Sequence, residues 1–213
     1  MNKTIYFVTS NLRKVEELNA RLGKTGYIAK QLKAELVEKQ SFDVQDVASS
    51  KLDHAIRLFP KKKLIVDDRG FFISALGGFP GTFVKLILSS LTIYDFLKLV
   101  EGKKDRKASF VTVLGYFDGR KKHFFLETEE GFLSKEPRGT NLRGWTDLLY
   151  IYGHKSHPRK TLAEYDDEEW SAYLASLEKG GAPQQLLRYM LGIPEDGGVS
   201  NPNQADGGNK KKT

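Results

Sequence analysis

Apolar and polar positions change period along the chain, and the changes mark out its elements. Thr4–Thr9 (TIYFVT) is β-branched and aromatic and predicts a strand. Ser10 and Asn11 follow as helix-capping residues, and Val15, Leu18 and Leu22 recur at helical spacing until Gly23. Ala29–Leu36 predicts a second short strand, and Val47, Leu52, Ala55 and Ile56 predict a helix over Gln45–Leu58. Leu64-Ile65-Val66 predicts a buried strand that ends by delivering Asp67-Asp68, and Phe71–Leu76 predicts another strand. Gly77–Gly81 is a glycine-dense turn, and Phe83–Leu99 reads as an apolar helix. Asp118-Gly119 sets a hairpin between Ala108–Phe117 and Lys121–Thr128. Asp147–Tyr152 predicts a last strand, and Glu168–Leu177 and Gln184–Leu191 predict closing helices. A strand–helix opening with a late antiparallel hairpin implies an α/β fold on a mixed β-sheet. Residues 195–213, rich in Gly, Asn, Pro and Lys, are expected to be a disordered tail behind one domain over 1–194.

Composition narrows the chemistry. The 213 residues are 39% hydrophobic and 29% charged, enough to bury a sizeable core. The apolar runs fall far short of the ~18 residues a membrane span needs, and the N-terminus shows no signal-peptide pattern, so a cytoplasmic protein is expected. The absence of cysteine excludes a disulfide scaffold, a thiolate zinc site and a cysteine nucleophile. With only His54, His123, His154 and His157 present, any metal is expected to be Mg²⁺ on carboxylates. A net charge of +7 favours polyanionic partners. No basic–aromatic stripe or nucleic-acid motif accompanies it, which places nucleic acid below a small phosphorylated ligand. Trp170, Tyr173 and Leu174 form an apolar stripe, expected to pack in the core rather than to serve a partner.

Three constellations can carry function. Ser10-Asn11 with Lys14 sits at a strand-to-helix turn, where backbone N–H groups and a lysine can meet an anion. The plain alternative is an ordinary N-cap followed by a solvated lysine. Asp67-Asp68 after a buried strand can bind Mg²⁺ and orient water, or can be a polar turn. In Gly77–Lys85, the glycines permit close backbone approach, Phe79 and Phe83 can stack on a base, and Lys85 can meet a phosphate. A tight turn before a helix is the competing reading.

Taken together, these segments resemble the Ham1 family, the inosine triphosphate pyrophosphatases that cleave non-standard purine nucleoside triphosphates to monophosphate and pyrophosphate. FVTSNLRKVEEL resembles the family's strand–loop–helix motif, with Asn11 and Lys14 at triphosphate-binding positions. LVEKQ places the metal-site glutamate on Glu38, and Lys51 matches a family lysine. IVDDRGFFISALGGFPGTFVK is the most specific segment, with Asp68 at the catalytic acidic position and Asp67 beside it. KASFVTVLGYFDG, GFLSKEPRGTNLRGW and TLAEY follow in the family's order. The resemblance implies an elongated mixed sheet, a homodimer, and a mechanism in which Lys14, Lys51 and Lys85 with Mg²⁺ neutralise the triphosphate. In that mechanism Glu38 and Asp68 hold the metal, and Asp68 or Asp67 orients water onto the α-phosphorus.

The departures from the family shape the functional expectation. Arg69 follows the Asp pair, where the family carries Ser or Thr. Gly-Trp-Asp-Pro becomes Gly144-Trp145-Thr146-Asp147, so a base-reading Asp position holds Thr146 beside Trp145. The family's Ser-His-Arg, which grips the purine, is missing after TLAEY; Ser156-His157-Pro158-Arg159 precedes that segment instead. Phosphate and metal positions are retained while base recognition is rewritten. The expected function is therefore binding of dITP or ITP with weakened or lost pyrophosphohydrolysis. This is similar to the Ham1-like subunit of the Kongming anti-phage system, which pairs with a Sir2-type NADase and responds to dITP. The alternative is an active Mg²⁺-dependent pyrophosphatase yielding monophosphate and diphosphate.

Overall fold

The computed structural model describes residues 3–141, 146–178 and 180–194. β1 (Lys3–Val8) buries Ile5, Phe7 and Val8 and turns at Asn11 into α1 (Leu12–Leu22), whose buried face is Val15, Leu18 and Leu22. The Asn11 side chain accepts from the Arg13 N–H at 3.0 Å, which makes it the N-cap. β2 (Tyr27–Leu32) returns parallel to β1 and pairs with it residue for residue. It starts earlier and ends sooner than the apolar pattern predicts, because β1 offers no partner beyond Val8. α2 (Val44–Leu58), capped by Asp43, crosses to β3 on the other side of β1.

β3 (Leu64–Ile73) is one strand of 10 residues, where the sequence predicts two. Its neighbour β5 (Lys107–Phe117) pairs along its whole length, from Leu64↔Phe117 to Ile73↔Ala108, so the ladder carries the backbone straight through the charged residues. The two-residue β4 (Pro80–Gly81) pairs at Phe71 and Phe72. The predicted helix over Phe83–Leu99 is two helices, α3 (Val84–Ile87) and α4 (Ile93–Leu99). Thr92 and Asp95 close a capping box that starts the second, with the Thr92 N–H donating to Asp95 at 2.8 Å.

β6 (Lys122–Leu133) completes the expected hairpin with β5, and β7 (Tyr152–His154) pairs with β6. Asp147–Tyr150 forms a 3-10 turn rather than the start of a strand. The closing helices are α5 (Asp167–Glu178) and α6 (Ala182–Leu191). The result is a 7-stranded mixed sheet in the order β2-β1-β3-β5-β6-β7, with the seventh strand, β4, paired to β3 off this path, and it is flanked by helices. Its α/β class and mixed sheet agree with the sequence reading.

Strand alternation assigns the layers. On one face, α1 and α6 cover Ile5, Phe7, Ile65, Leu114 and Phe125. Further along that face, a second core gathers Phe71, Phe110, Phe96, Tyr152 and Tyr173. On the opposite face, α2 covers Leu64, Val66 and Val113. Tyr173 is buried and Trp170 packs against the second core, as predicted, while Leu174 stays exposed. No described helix is long and apolar enough to cross a membrane. The tail expected over 195–213 and Trp145 lie outside the described residues.

Candidate functional site

A gap in the sheet creates the site. β1 pairs with β3 only at Leu64 and Ile65, and β4 only at Phe71 and Phe72. Between them, Val66–Gly70 has no strand on that edge among the described residues. Asp67 and Asp68 stand in this gap, in mid-strand rather than at a strand end. Consecutive strand residues point to opposite faces, so the gap receives one carboxylate from each.

Each carboxylate meets a lysine from a flanking helix. Lys14, in the first turn of α1, forms an ion pair with Asp67. Lys51, from α2, reaches Asp68 Oδ1 and Glu38 Oε1, both at 3.1 Å. The Glu38 loop is fastened to α2, since the Val37 N–H donates to His54 Nδ1 at 2.8 Å. Asp68 is only 11% exposed at its side chain. That burial pushes its carboxyl up to about 6 against the pull of Lys51, and the Glu38 and Asp67 charges push the same way. For Lys51, burial acts downward, but Asp68, Asp67 and Glu38 outweigh it and hold the ammonium above its ordinary range.

The remaining sequence-derived residues divide. Ser10 and Asn11 lie at the α1 N-terminus beside Lys14, and the Asn11 N–H donates to Thr9 Oγ1 at 3.1 Å. Phe83 packs edge-on against Phe42 at 5.2 Å, and the Thr82 hydroxyl donates to the Ser41 carbonyl, tying the α3 entrance to the segment before α2. Lys85 is exposed on α3 and makes no ion pair among the described residues. Thr146 is buried, and its hydroxyl accepts from the Leu148 N–H at 3.3 Å. It lines an open hollow of about 830 Å³ with Thr92, Tyr94 and Tyr150, which shares no residue with the carboxylate–lysine cluster. His157 packs edge-on against Tyr165 at 5.0 Å, a contact within its own loop region.

A second polar set escaped the sequence reading, which took Arg69 only as a departure from the family. Arg69 forms an ion pair with Glu129 and lies 4.4 Å from the Phe110 ring centroid. Glu129 is 4% exposed; its other oxygen accepts from the Tyr173 hydroxyl at 2.5 Å, and its carbonyl accepts from the Tyr152 hydroxyl at 2.8 Å. Glu127 accepts from the Ala182 N–H at the start of α6, at 3.2 Å. The available signal was Glu127 and Glu129 two apart in a strand, which puts both on one face.

The cluster can neutralise and orient a phosphorylated ligand. Lys14 and Lys51 supply cations, and releasing them to a polyphosphate frees Asp67, Asp68 and Glu38 for a hard cation. Two oxygens converging on one ammonium suit Mg²⁺. They are not a ready-made cage, since the described residues hold no group of three acidic or histidine side chains arranged for a metal.

Comparison with known proteins bears on the family and the fold. The Ham1 family profile matches residues 5–178. The dITP/XTP pyrophosphatase of Hyperthermus butylicus is 30% identical over 188 residues, 88% of this chain and 95% of that protein. That of Pyrococcus horikoshii is 34% identical over 168 residues, 79% of this chain and 88% of its own length. Among solved structures, a HAM1 protein from Coxiella burnetii superposes with a TM-score of 0.73 at 24% identity, covering 88% of this chain and 98% of that one. The Staphylococcus aureus Ham1 protein gives 0.71 at 20% identity, over 90% and 100%. The family match over most of the sequence and the agreement in fold establish that the chain belongs to the Ham1 family.

Proposed function

We propose that the protein binds an inosine-type purine nucleoside triphosphate, dITP or ITP, by its phosphates together with Mg²⁺, and turns it over slowly. The observation that carries this is a contrast within the fold. Lys14, Lys51, Asp67, Asp68 and Glu38 are assembled at the sheet gap, while Thr146 is buried with its hydroxyl given to Leu148. The names of the archaeal relatives, dITP/XTP pyrophosphatases, support the ligand class.

In the reaction, Lys14 and Lys51 take up phosphate charge, and the resemblance to the family gives Lys85, exposed on α3, the same role. Asp68 and Glu38 are the residues that would hold Mg²⁺, which when bound would supply neutralisation of the phosphate charge. Asp68, or Asp67 beside it, accepts a hydrogen bond from the attacking water and directs it at the α-phosphorus. No covalent intermediate is needed. A base held loosely lets the α-phosphorus move relative to that water, and a misplacement of about 1 Å lowers a rate ~10²-fold while phosphate-dominated binding survives.

In this reading the protein is a nucleotide-responsive subunit, a cytoplasmic homodimer whose bound ligand changes the activity of a Sir2-type NADase partner in anti-phage defence. The second reading is an ordinary Mg²⁺-dependent pyrophosphatase giving monophosphate and diphosphate. The complete cluster of lysines and carboxylates favours it. One experiment separates the two. With dITP and Mg²⁺, binding is measured by calorimetry and pyrophosphate release is followed beside a curated dITP/XTP pyrophosphatase. Clear binding with release at least about 100-fold slower than the control supports the responsive subunit. Release at the control's rate rejects it and leaves the enzyme.

A further inference from the structure

Glu38 stands in a stretch of chain with little to hold it. From Ala34 to Gln40 the backbone has no regular secondary structure, and Ala34 and Leu36 pack only partly buried against the core under α2. Among the described residues, one backbone group between Ala34 and Gln40 makes a hydrogen bond. It is the Val37 N–H, which donates to His54 Nδ1 at 2.8 Å. Beyond Glu38 the chain is fastened again by side chains, where Lys39 pairs with Asp46 at 3.0 Å and Ser41 donates to the same carboxylate at 3.2 Å.

α2 therefore grips two consecutive residues with two of its own. Lys51 and His54 are three apart on the helix, neighbours on one face. Lys51 holds the Glu38 carboxylate at 3.1 Å, and His54 holds the Val37 N–H. The two grips answer differently to a ligand. A polyphosphate competes for Lys51, and Glu38 makes no other ion pair among the described residues. With its side chain 58% exposed, Glu38 has little packing to keep it in place once that pair opens. The His54 grip uses no cation, so a phosphate does not compete for it. A backbone N–H only donates, so His54 Nδ1 accepts with its lone pair.

We propose that His54 is a positioning residue for Glu38, keeping its carboxylate at the sheet gap once Lys51 has turned to the phosphates. The inference rests on the reading of Asp68 and Glu38 as the residues that would hold Mg²⁺, and it adds the group that orients one of them. Adjacent Cα atoms lie about 3.8 Å apart across a trans peptide, so anchoring the Val37 nitrogen fixes where the Glu38 side chain begins. Without the anchor, this irregular segment has to be ordered as the cation arrives, and that cost lowers the affinity. The bond itself is exposed, so water can satisfy the Val37 N–H when the acceptor is removed, and the fold stands.

The test is the gain in tripolyphosphate affinity that Mg²⁺ confers on the full chain, measured by calorimetry as the ratio of affinities with and without the metal. His54→Leu removes the acceptor and, leucine being the better helix former, does not weaken α2. His54→Asn sets an amide oxygen where Nδ1 stood and keeps the acceptor. His54→Leu is expected to lower the gain about tenfold, the low end for a residue that orients a metal ligand, while metal-free tripolyphosphate affinity stays at the wild-type value. His54→Asn is expected to keep the gain to within about threefold. A role confined to packing would lower the melting temperature and leave the gain alone. A gain unchanged in His54→Leu overturns the proposal, as does an equal loss in both variants. Should His54→Leu not fold, Val37→Pro deletes the donating N–H from the other side of the same bond and is held to the same result. Glu38→Gln tests the reading beneath the proposal and is expected to lose the gain as well. If it keeps the gain, or if the wild type shows none, Glu38 is not a metal ligand and both fall.

Discussion

Asp68 and Lys51 tie cation binding to proton binding at the scale of single side chains. Burial raises the folded-state pKa of Asp68 from 3.8 to about 6. A raised acid favours the protonated fold, so its contribution to stability is full below about pH 4 and is lost as pH rises through about 6. That loss is on the order of 2–3 kcal/mol for a shift of this size. Chemical denaturation of the metal-free protein between pH 4 and pH 7 should show the decline, and Mg²⁺ should reverse it at the upper end. A flat profile would reject the assignment. In the proposed site Mg²⁺ would displace this proton, so its affinity should weaken by up to about tenfold per pH unit below 6 and level off above. Asp68→Asn should reduce pyrophosphate release by at least about 100-fold while leaving the circular dichroism spectrum unchanged. Lys14 makes a separate prediction. Lys14→Ala removes a charge-assisted contact and should weaken triphosphate binding by about 1–3 kcal/mol while barely changing that of the free nucleoside. Equal losses for both ligands would remove Lys14 from the phosphate site.

Single elements show where local pattern suffices and where it fails. β1, α1, α2 and the β5–β6 hairpin were legible because each announces itself locally, through apolar period, the Asn11 cap, and the Asp118-Gly119 turn. β3 was misread as two strands because Asp67, Asp68 and Arg69 interrupt its apolar run. Their charges are tolerated through Lys14, Lys51 and Glu129, which lie 53, 17 and 60 residues away in sequence. No local window contains such partners. Of the cluster, Lys14 and the Asp67–Asp68 pair stood out from their local setting, while Glu38 and Lys51 were legible only through likeness to a family. The Arg69–Glu129–Tyr173 set was hidden, because its members come from strands and a helix that meet only in the fold. The broken helix before β5 was legible in principle, since Thr92 and Asp95 stand at capping-box spacing inside the apolar run. Thr92→Ala should therefore lower stability by about 1 kcal/mol in urea denaturation. The effect on tripolyphosphate binding should be nil, because α4 packs in the second core, away from the sheet gap.

For the molecule as a whole, a polar belt of Asp67, Arg69, Glu127 and Glu129 between two apolar cores sets how a ligand changes stability. Each core is held by its own helices, α1 and α6 over one and α4 and Tyr173 over the other, and the belt between them carries charge rather than apolar area. A nucleotide that satisfies Lys14 and Asp67 would be held at the border of this belt. Ligand that binds only the folded chain stabilises it by RT ln(1 + [L]/Kd), about 2.7 kcal/mol at a hundredfold excess over Kd. For a domain of this size each kcal/mol moves the melting temperature by roughly 2–4 °C. Saturating dITP with Mg²⁺ should therefore raise Tm by about 5–11 °C. Tripolyphosphate, which brings no ribose or base to the fold, should give a smaller rise at the same concentration. Time then distinguishes the two functional readings. A slowly hydrolysed ligand stays bound, so the shift measured after an hour at 25 °C should match the shift measured at once. A pyrophosphatase working at ordinary turnover exhausts its dITP in that hour, and the shift should collapse toward that of monophosphate and pyrophosphate. α,β-Imido-dITP provides the reference, since it cannot be cleaved between the α- and β-phosphorus atoms. A persistent shift with dITP equal to that with the imido analogue is the outcome expected of a nucleotide-responsive subunit.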